Sequence, residues 1–180
     1  MMNNSIIQKK ICLLGMFGVG KTSLVRRFVY DRFEDGYLST IGVKVSQKLL
    51  PPIQTGEGKF GQFNFLLWDI EGFEENSPQL SNYLVGAAGA LVVADLLRPE
   101  TIASLPAIIN RFRKAAPAGQ VALAGNKIDL AKTSPETVGE LERFAAESHL
   151  PFLLTSAKTG ENVEKSFQVL ARQIAQSGGR

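Results

Sequence analysis

The segment Gly15-Met16-Phe17-Gly18-Val19-Gly20-Lys21-Thr22 limits what this chain can fold into more than any other. It reads glycine, four residues, then Gly-Lys-Thr. The apolar run Ile11-Cys12-Leu13-Leu14 precedes it and suits a buried strand. Ser23-Leu24-Val25-Arg26-Arg27-Phe28-Val29 follows, with apolar residues at helical spacing. A strand, a glycine loop and a helix in that order form the setting in which a backbone wraps an anion. Glycine permits the turns that aim several N–H groups at one point, and the helix N-terminus adds partial positive charge. Lys21 is placed to reach the outer phosphates of a nucleotide, and the Thr22 hydroxyl to ligate Mg²⁺. The blander reading, a glycine-rich turn with a lysine nearby, explains neither the strand before it nor the helix after it.

At 180 residues the chain is expected to form one domain, its core at about residues 9–176, with loose ends at 1–8 and 177–180. Hydrophobic residues make up 44% and charged residues 21%, the balance of a globular protein. A net charge of +3 is too small for a nucleic-acid stripe, and Arg26-Arg27, Arg111, Arg113 and Lys114 read as solvated helix faces. The single cysteine, Cys12, excludes an internal disulfide and sits among strand residues, so it reads as core. There is no signal-peptide pattern and no apolar run of membrane-spanning length, and the expectation is a cytoplasmic monomer. Met1-Met2-Asn3 offers no myristoylation glycine and Gln176–Arg180 no prenylation cysteine, so no lipid anchor is read in the sequence as written.

The pattern predicts strands at about 9–14, 43–50, 63–68, 90–94, 121–124 and 151–154, and helices at about 21–33, 78–85, 100–115, 138–148 and 161–175. Pro106 must occupy a first turn, which moves one helix start toward Ser104. Ser77-Pro78 reads as a cap followed by proline at the first helical position. Pro51–Gly58 is a turn-rich insert, expected as a long hairpin loop between two antiparallel strands. The result is a three-layer α/β/α domain with a six-stranded, mostly parallel sheet and one antiparallel edge strand. His149, the only histidine, lies at a predicted helix end, and Trp68 reads as core.

In an open α/β sheet ligands bind at the carboxyl ends of the strands. Asp69 closes the aromatic strand, where it can hold Mg²⁺ directly or through water. Asn126-Lys127-Ile128-Asp129 follows the strand ending at Ala124, Ser156-Ala157-Lys158 follows the last strand, and Thr40 lies in the loop after the first helix. Asp129 discriminates: a carboxylate accepts from the N1–H and exocyclic amine of guanine, whereas adenine leaves it unpaired. The Lys127 stem can lie along the base, Asn126 can tie neighbouring loops, and the Ala157 N–H can donate to the guanine carbonyl.

These segments together resemble the Ras-superfamily small GTPases, in wording the Rab branch, over about residues 9–176. The resemblance implies the P-loop nucleotide-hydrolase fold, GTP and GDP with Mg²⁺ as cofactors, and the whole run Phe17–Ser23 as nucleotide contacts. It also implies that Thr40 ligates Mg²⁺ in the GTP state, Tyr37 closes over the phosphates, Phe33 packs on the guanine, and Gly72 gives its N–H to the γ-phosphate. Effectors and regulators would use loops at about 34–45 and 70–80. Lys21, Thr40, Gly72 and Glu71 are the residues it places nearest the reacting γ-phosphate. The tail without cysteine resembles Rab-like proteins of prokaryotes.

The departures are local to that phosphate. Trp68-Asp69-Ile70-Glu71-Gly72-Phe73-Glu74 stands where the family reads Trp-Asp-Thr-Ala-Gly-Gln-Glu. Phe73 thus replaces the glutamine that orients water, Glu71 brings a carboxylate in place of alanine, and Phe17 fills a position that is usually small. Two readings follow: a switch that hydrolyses GTP slowly, or a pseudo-GTPase that binds without turnover. A phosphate-loop kinase of a small metabolite fits neither Asn126–Asp129 nor Ser156–Lys158.

Overall fold

A computed structural model describes residues 6–36, 41–56, 59–70, 78–131 and 135–178. The chain runs β1 (Ile6–Leu14), α1 (Lys21–Tyr30), β2 (Val43–Leu49), β3 (Ile53–Gly56), β4 (Lys59–Ile70), α2 (Pro78–Leu84) and β5 (Gly89–Asp95). It continues through α3 (Pro99–Ala103), α4 (Leu105–Ala115), β6 (Gln120–Asn126), α5 (Ile128–Ala131), α6 (Pro135–Glu147), β7 (Phe152–Thr155) and α7 (Val163–Ser177). The sheet order is β2-β4-β1-β5-β6-β7, with β3 added beside β4. β1, β4, β5, β6 and β7 are mutually parallel, while β2 and β3 run antiparallel to β4.

Strand periodicity divides the core in two. Cys12, Leu14, Val92, Leu123 and Ile70 point to the side packed by α2, α3, α4 and α6. Their neighbours Ile11, Leu13, Leu91, Val93, Ala122 and Leu67 point to the side packed by α1 and α7. Side chains alternate across a strand, so a continuous apolar run such as Gly89–Asp95, buried at every position, supplies both layers. On the α1–α7 side Phe28 stacks on Phe167 with ring centroids 3.9 Å apart.

Several boundaries differ from expectation. Residues 6–8 are strand, not loose end: Ile6, Ile7 and Gln8 pair with Gln62, Phe63 and Asn64. The insert is not all loop, because Ile53–Gly56 forms β3 against the start of β4, which makes seven strands among the described residues in place of the six expected. Ile53 packs into the α1–α7 core, giving the insert an anchor that a turn-rich composition does not reveal. α1 stops at Tyr30, three residues early, because Asp31 takes a left-handed conformation (φ 51°), which Asp tolerates better than most residues. The helix predicted at 100–115 is two, broken at Ser104, with Pro106 in the first turn of α4 where its missing N–H costs nothing. His149 caps α6 from a left-handed φ of 53°: its N–H donates to Ala146 O and the Leu150 N–H to Ala145 O. Trp68 is half-buried at the core margin, with the Lys10 ammonium 3.9 Å above its ring centroid. Ser77 lies outside the described residues.

Cys12 is fully buried, and burial pushes its thiol up from 9.0 to about 12, only partly opposed by the nearby Lys10 charge. The folded state therefore keeps a proton that the unfolded chain loses above about pH 9. This stabilisation is complete below pH 9 and disappears as pH rises toward 12. Iodoacetamide at pH 8 is expected to leave Cys12 unlabelled in the folded protein and to label it on unfolding. Alkylation at the rate of a small thiol in native buffer would contradict this burial.

Candidate functional site

The loop between β1 and α1 is shaped by its glycines. Gly15 has φ 146°, and a Cβ there would strike the Val93 carbonyl oxygen. Gly20 caps α1 at φ 98°, and a Cβ there would collide with the Asn126 amide. The Lys21 ammonium folds back over this loop, donating to Gly15 O at 2.8 Å and Met16 O at 3.0 Å. Thr22 Oγ1 donates to Asp69 Oδ2 at 2.6 Å, and Asp69 is only 1% exposed. The end of β4 and the start of α1 therefore present a hydroxyl and a carboxylate side by side, an all-oxygen donor set that suits a hard divalent cation such as Mg²⁺.

The other wall comes from the ends of β6 and β7. Asn126 Nδ2 donates to Val19 O at 3.0 Å, while its Oδ1 accepts the Ala157 N–H at 3.2 Å and Thr155 Oγ1 at 3.3 Å. One amide thus fastens the glycine loop to the loop after β7. Lys127 has a left-handed φ of 72° and extends its ammonium to Gly18 O at 3.1 Å. Ser156 Oγ donates to Asp129 Oδ1 at 2.7 Å and accepts the Thr159 N–H at 3.0 Å. Its single hydrogen is committed, so Ser156 fixes which carboxylate oxygen of Asp129 turns away from it.

These pieces enclose a cleft of about 380 Å³. It is lined by Phe17, Gly18, Gly20, Lys21, Thr22 and Ser23 from the glycine loop and α1, by Asn126, Lys127, Asp129, Ala157 and Lys158 from the segments after β6 and β7, and by Phe33. Val19, Asp69 and Ser156 are absent from this lining. Val19 is buried in the core and its carbonyl accepts from Asn126, and Ser156 is buried beside Asp129. Tyr37, Thr40, Glu71, Gly72 and Phe73 lie outside the described residues. Glu34, Asp35, Gly36, Ile70 and Leu130 complete the lining. The size suits a nucleotide, and the lining offers both cationic groups and the Asp129 carboxylate.

Three contributors carry no motif. Asp95, buried at the end of β5, accepts both Lys127 Nζ at 2.7 Å and Arg98 Nε at 3.0 Å. Arg98 Nη2 also donates to Phe17 O at 2.8 Å. One carboxylate thereby anchors two cations that hold successive carbonyls of the glycine loop. The position of Asp95 at the carboxyl end of a buried strand was the available signal. Arg27, read from sequence as a solvated helix residue, instead reaches the loop after β7. Its Nε donates to Ala157 O at 2.9 Å and its Nη2 to Lys158 O at 2.6 Å. Arg26 pairs with Glu34 Oε1 at 2.5 Å across the surface.

Residues 10–176 match the family model for the Ras family. The chain is 38% identical over 170 residues to GTP-binding protein ypt5 of Schizosaccharomyces pombe, covering 93% of this chain and 78% of the relative. It is 39% identical over 166 residues to Ras-related protein Rab-4A of Danio rerio, covering 92% and 75%. The human Rab-4A matches at 39% over 166 residues, covering 92% and 73%. Among the described residues no helix is long and apolar enough to cross a membrane.

Proposed function

Because the chain belongs to the Ras family of small GTPases and is Rab-like, we propose that it is a guanine-nucleotide switch whose second switch is degenerate and whose GTP hydrolysis is slow. Ras and Rab proteins bind GTP and GDP with Mg²⁺, hydrolyse GTP, and act through effectors and regulators. The cofactors of this chain are accordingly GTP or GDP with Mg²⁺. We read the chain as a single G domain acting as a monomer. In support, the described lining of the cleft comes from strand ends, loops and helix starts around one sheet.

One observation carries the reading. Thr22, Lys21 and its loop, Asn126, Lys127, Asp129, Ala157 and Lys158 line one cleft of about 380 Å³, with Asp69 and Ser156 bonded behind Thr22 and Asp129. In this reading the glycine loop and Lys21 take the phosphates, and Asp129, Lys127 and Ala157 take the base. Thr22 with Thr40 would hold Mg²⁺, and Asp69 would reach it through water. When bound, Mg²⁺ offsets the negative charge of the β- and γ-phosphate oxygens. The γ-phosphate would be read by Thr40 and the Gly72 N–H, so hydrolysis would release both segments from a partner. Phe73 and Phe17 are the reason for slow turnover, and they also favour a second reading, a pseudo-GTPase that signals by nucleotide presence alone.

The identity of nucleotide released from the purified protein tests the first step, and the fate of GTP after overnight incubation separates the two readings. Release of adenine nucleotide would overturn both. Thr22→Asn supplies an independent check. The amide is a poor Mg²⁺ ligand and is less suited to the contact with Asp69. Competition titration in excess Mg²⁺ should show GTP affinity falling on the order of tenfold more than GDP affinity. Equal losses would refute the assignment of Thr22 to the metal.

A further inference from the structure

We propose that Arg27 is a positioning residue for base recognition, setting the Ala157 N–H against the 6-carbonyl of guanine; this rests on the nucleotide reading above. Arg27 lies in the last turn of α1, and its side chain is only 18% exposed. All three nitrogens of its guanidinium are engaged. Nε and Nη2 donate to the consecutive carbonyls of Ala157 and Lys158, at 2.9 and 2.6 Å. Nη1 donates to Asp31 Oδ1 at 3.0 Å, at the left-handed residue that ends the helix. The Arg27 side chain would also lie in van der Waals contact with a Cβ built at Gly160, so the stem runs along the same loop.

The loop is held from its other side by its own bonds. Gly160 N–H donates to Ser156 O at 2.8 Å, and Ser156 N–H to Glu161 O at 3.1 Å. None of these bonds fixes the backbone between Ala157 and Lys158; the Arg27 fork does. Ala157 and Lys158 both line the cleft, and the Ala157 N–H donates to Asn126 Oδ1 at 3.2 Å, a bond that a base carbonyl would share or replace. That donor follows Ser156, whose hydroxyl holds Asp129, the group assigned to the N1–H and 2-amine next to that carbonyl on the same edge of the base. A planar fork can hold two carbonyls at once, whereas a lysine ammonium is a point donor on a flexible stem and cannot reproduce both contacts. Arg27 therefore joins the helix that begins at the phosphate end to the loop that reads the base.

The test compares three diphosphates on intact protein: GDP, the inosine analogue lacking the 2-amine that Asp129 would accept, and the 2-aminopurine analogue, which keeps the 2-amine and lacks the 6-carbonyl together with the N1–H. In Arg27→Ala the preference for GDP over the 2-aminopurine nucleotide should fall at least about fivefold. The preference for GDP over the inosine nucleotide should stay at the parent value, and GDP release should accelerate. Arg27→Lys should behave as Arg27→Ala despite keeping the charge, and it serves as the readout if the alanine variant fails to fold. Parent-like ratios for both analogues, or equal loss of both, would overturn the proposal. A parent that does not distinguish GDP from the inosine nucleotide would instead overturn the guanine reading itself.

Discussion

Asp129→Asn is expected to weaken GDP binding on the order of a thousandfold and to move preference toward xanthosine diphosphate. Two hydrogen bonds from guanine to a desolvated carboxylate are at stake, each about 1.5–3 kcal/mol, and the replacement puts a donor against donors. The structure sharpens the expectation. Ser156 Oγ donates to Asp129 Oδ1, and one of its two lone pairs accepts the Thr159 N–H. An asparagine there would turn its amide oxygen to Ser156, since that hydroxyl has a hydrogen to give. The NH₂ would then face the base, where guanine offers only hydrogens and xanthine offers its 2-carbonyl. A competition assay decides the matter. Unchanged GDP affinity with no gain for xanthosine diphosphate would remove Asp129 from the base site.

What could be read in advance about this site follows the distance over which each residue acts. The glycine loop, Asp69, Asn126–Asp129 and Ser156–Lys158 are short segments at strand ends, so alternation of apolar runs and loops was enough to bring them to one edge. Arg27 and Arg98 escaped the same reasoning because their acceptors are main-chain carbonyls 130 and 81 residues away. A backbone oxygen has no side-chain signature, and an arginine on a helix reads as solvated unless the fold is known. Asp95 was missed for a related reason: it closes a strand whose apolar character dominates the pattern, and its two cations come from different loops.

The fold itself shows the same boundary. The parallel strands announced themselves as apolar runs. Ile6–Gln8 and Ile53–Gly56 did not, because neither is apolar throughout and each is strand by virtue of pairing with β4. The break at Ser104 was legible because proline acts locally, through its ring and its missing N–H.

Intrinsic hydrolysis is expected at or below about 10⁻⁴ s⁻¹, under the unassisted rate of a glutamine-bearing relative. In this chemistry the protein positions water and offsets charge, so missing groups translate directly into rate. Phe73 offers no hydrogen bond to an attacking water. Glu71 stands where the family carries alanine, and in the proposed reading its carboxylate would add negative charge near phosphate oxygens already negative. Phe17 is 54% exposed at the cleft rim, and its carbonyl is held by Arg98, so the backbone that carries the ring is anchored and an arginine from a partner has less room. Phe73→Gln alone should therefore recover only part of the rate. The triple change Phe73→Gln, Glu71→Ala, Phe17→Ser should recover more than the single one, because each removes a separate obstacle and the three act on one transition state. Single-turnover hydrolysis on preloaded protein, with the bound nucleotide verified first, measures all of these. A parent chain that turns over briskly without a partner would mean that another group holds the water. Glu71 would then be the group to replace next, since a carboxylate can accept from water where the family uses an amide.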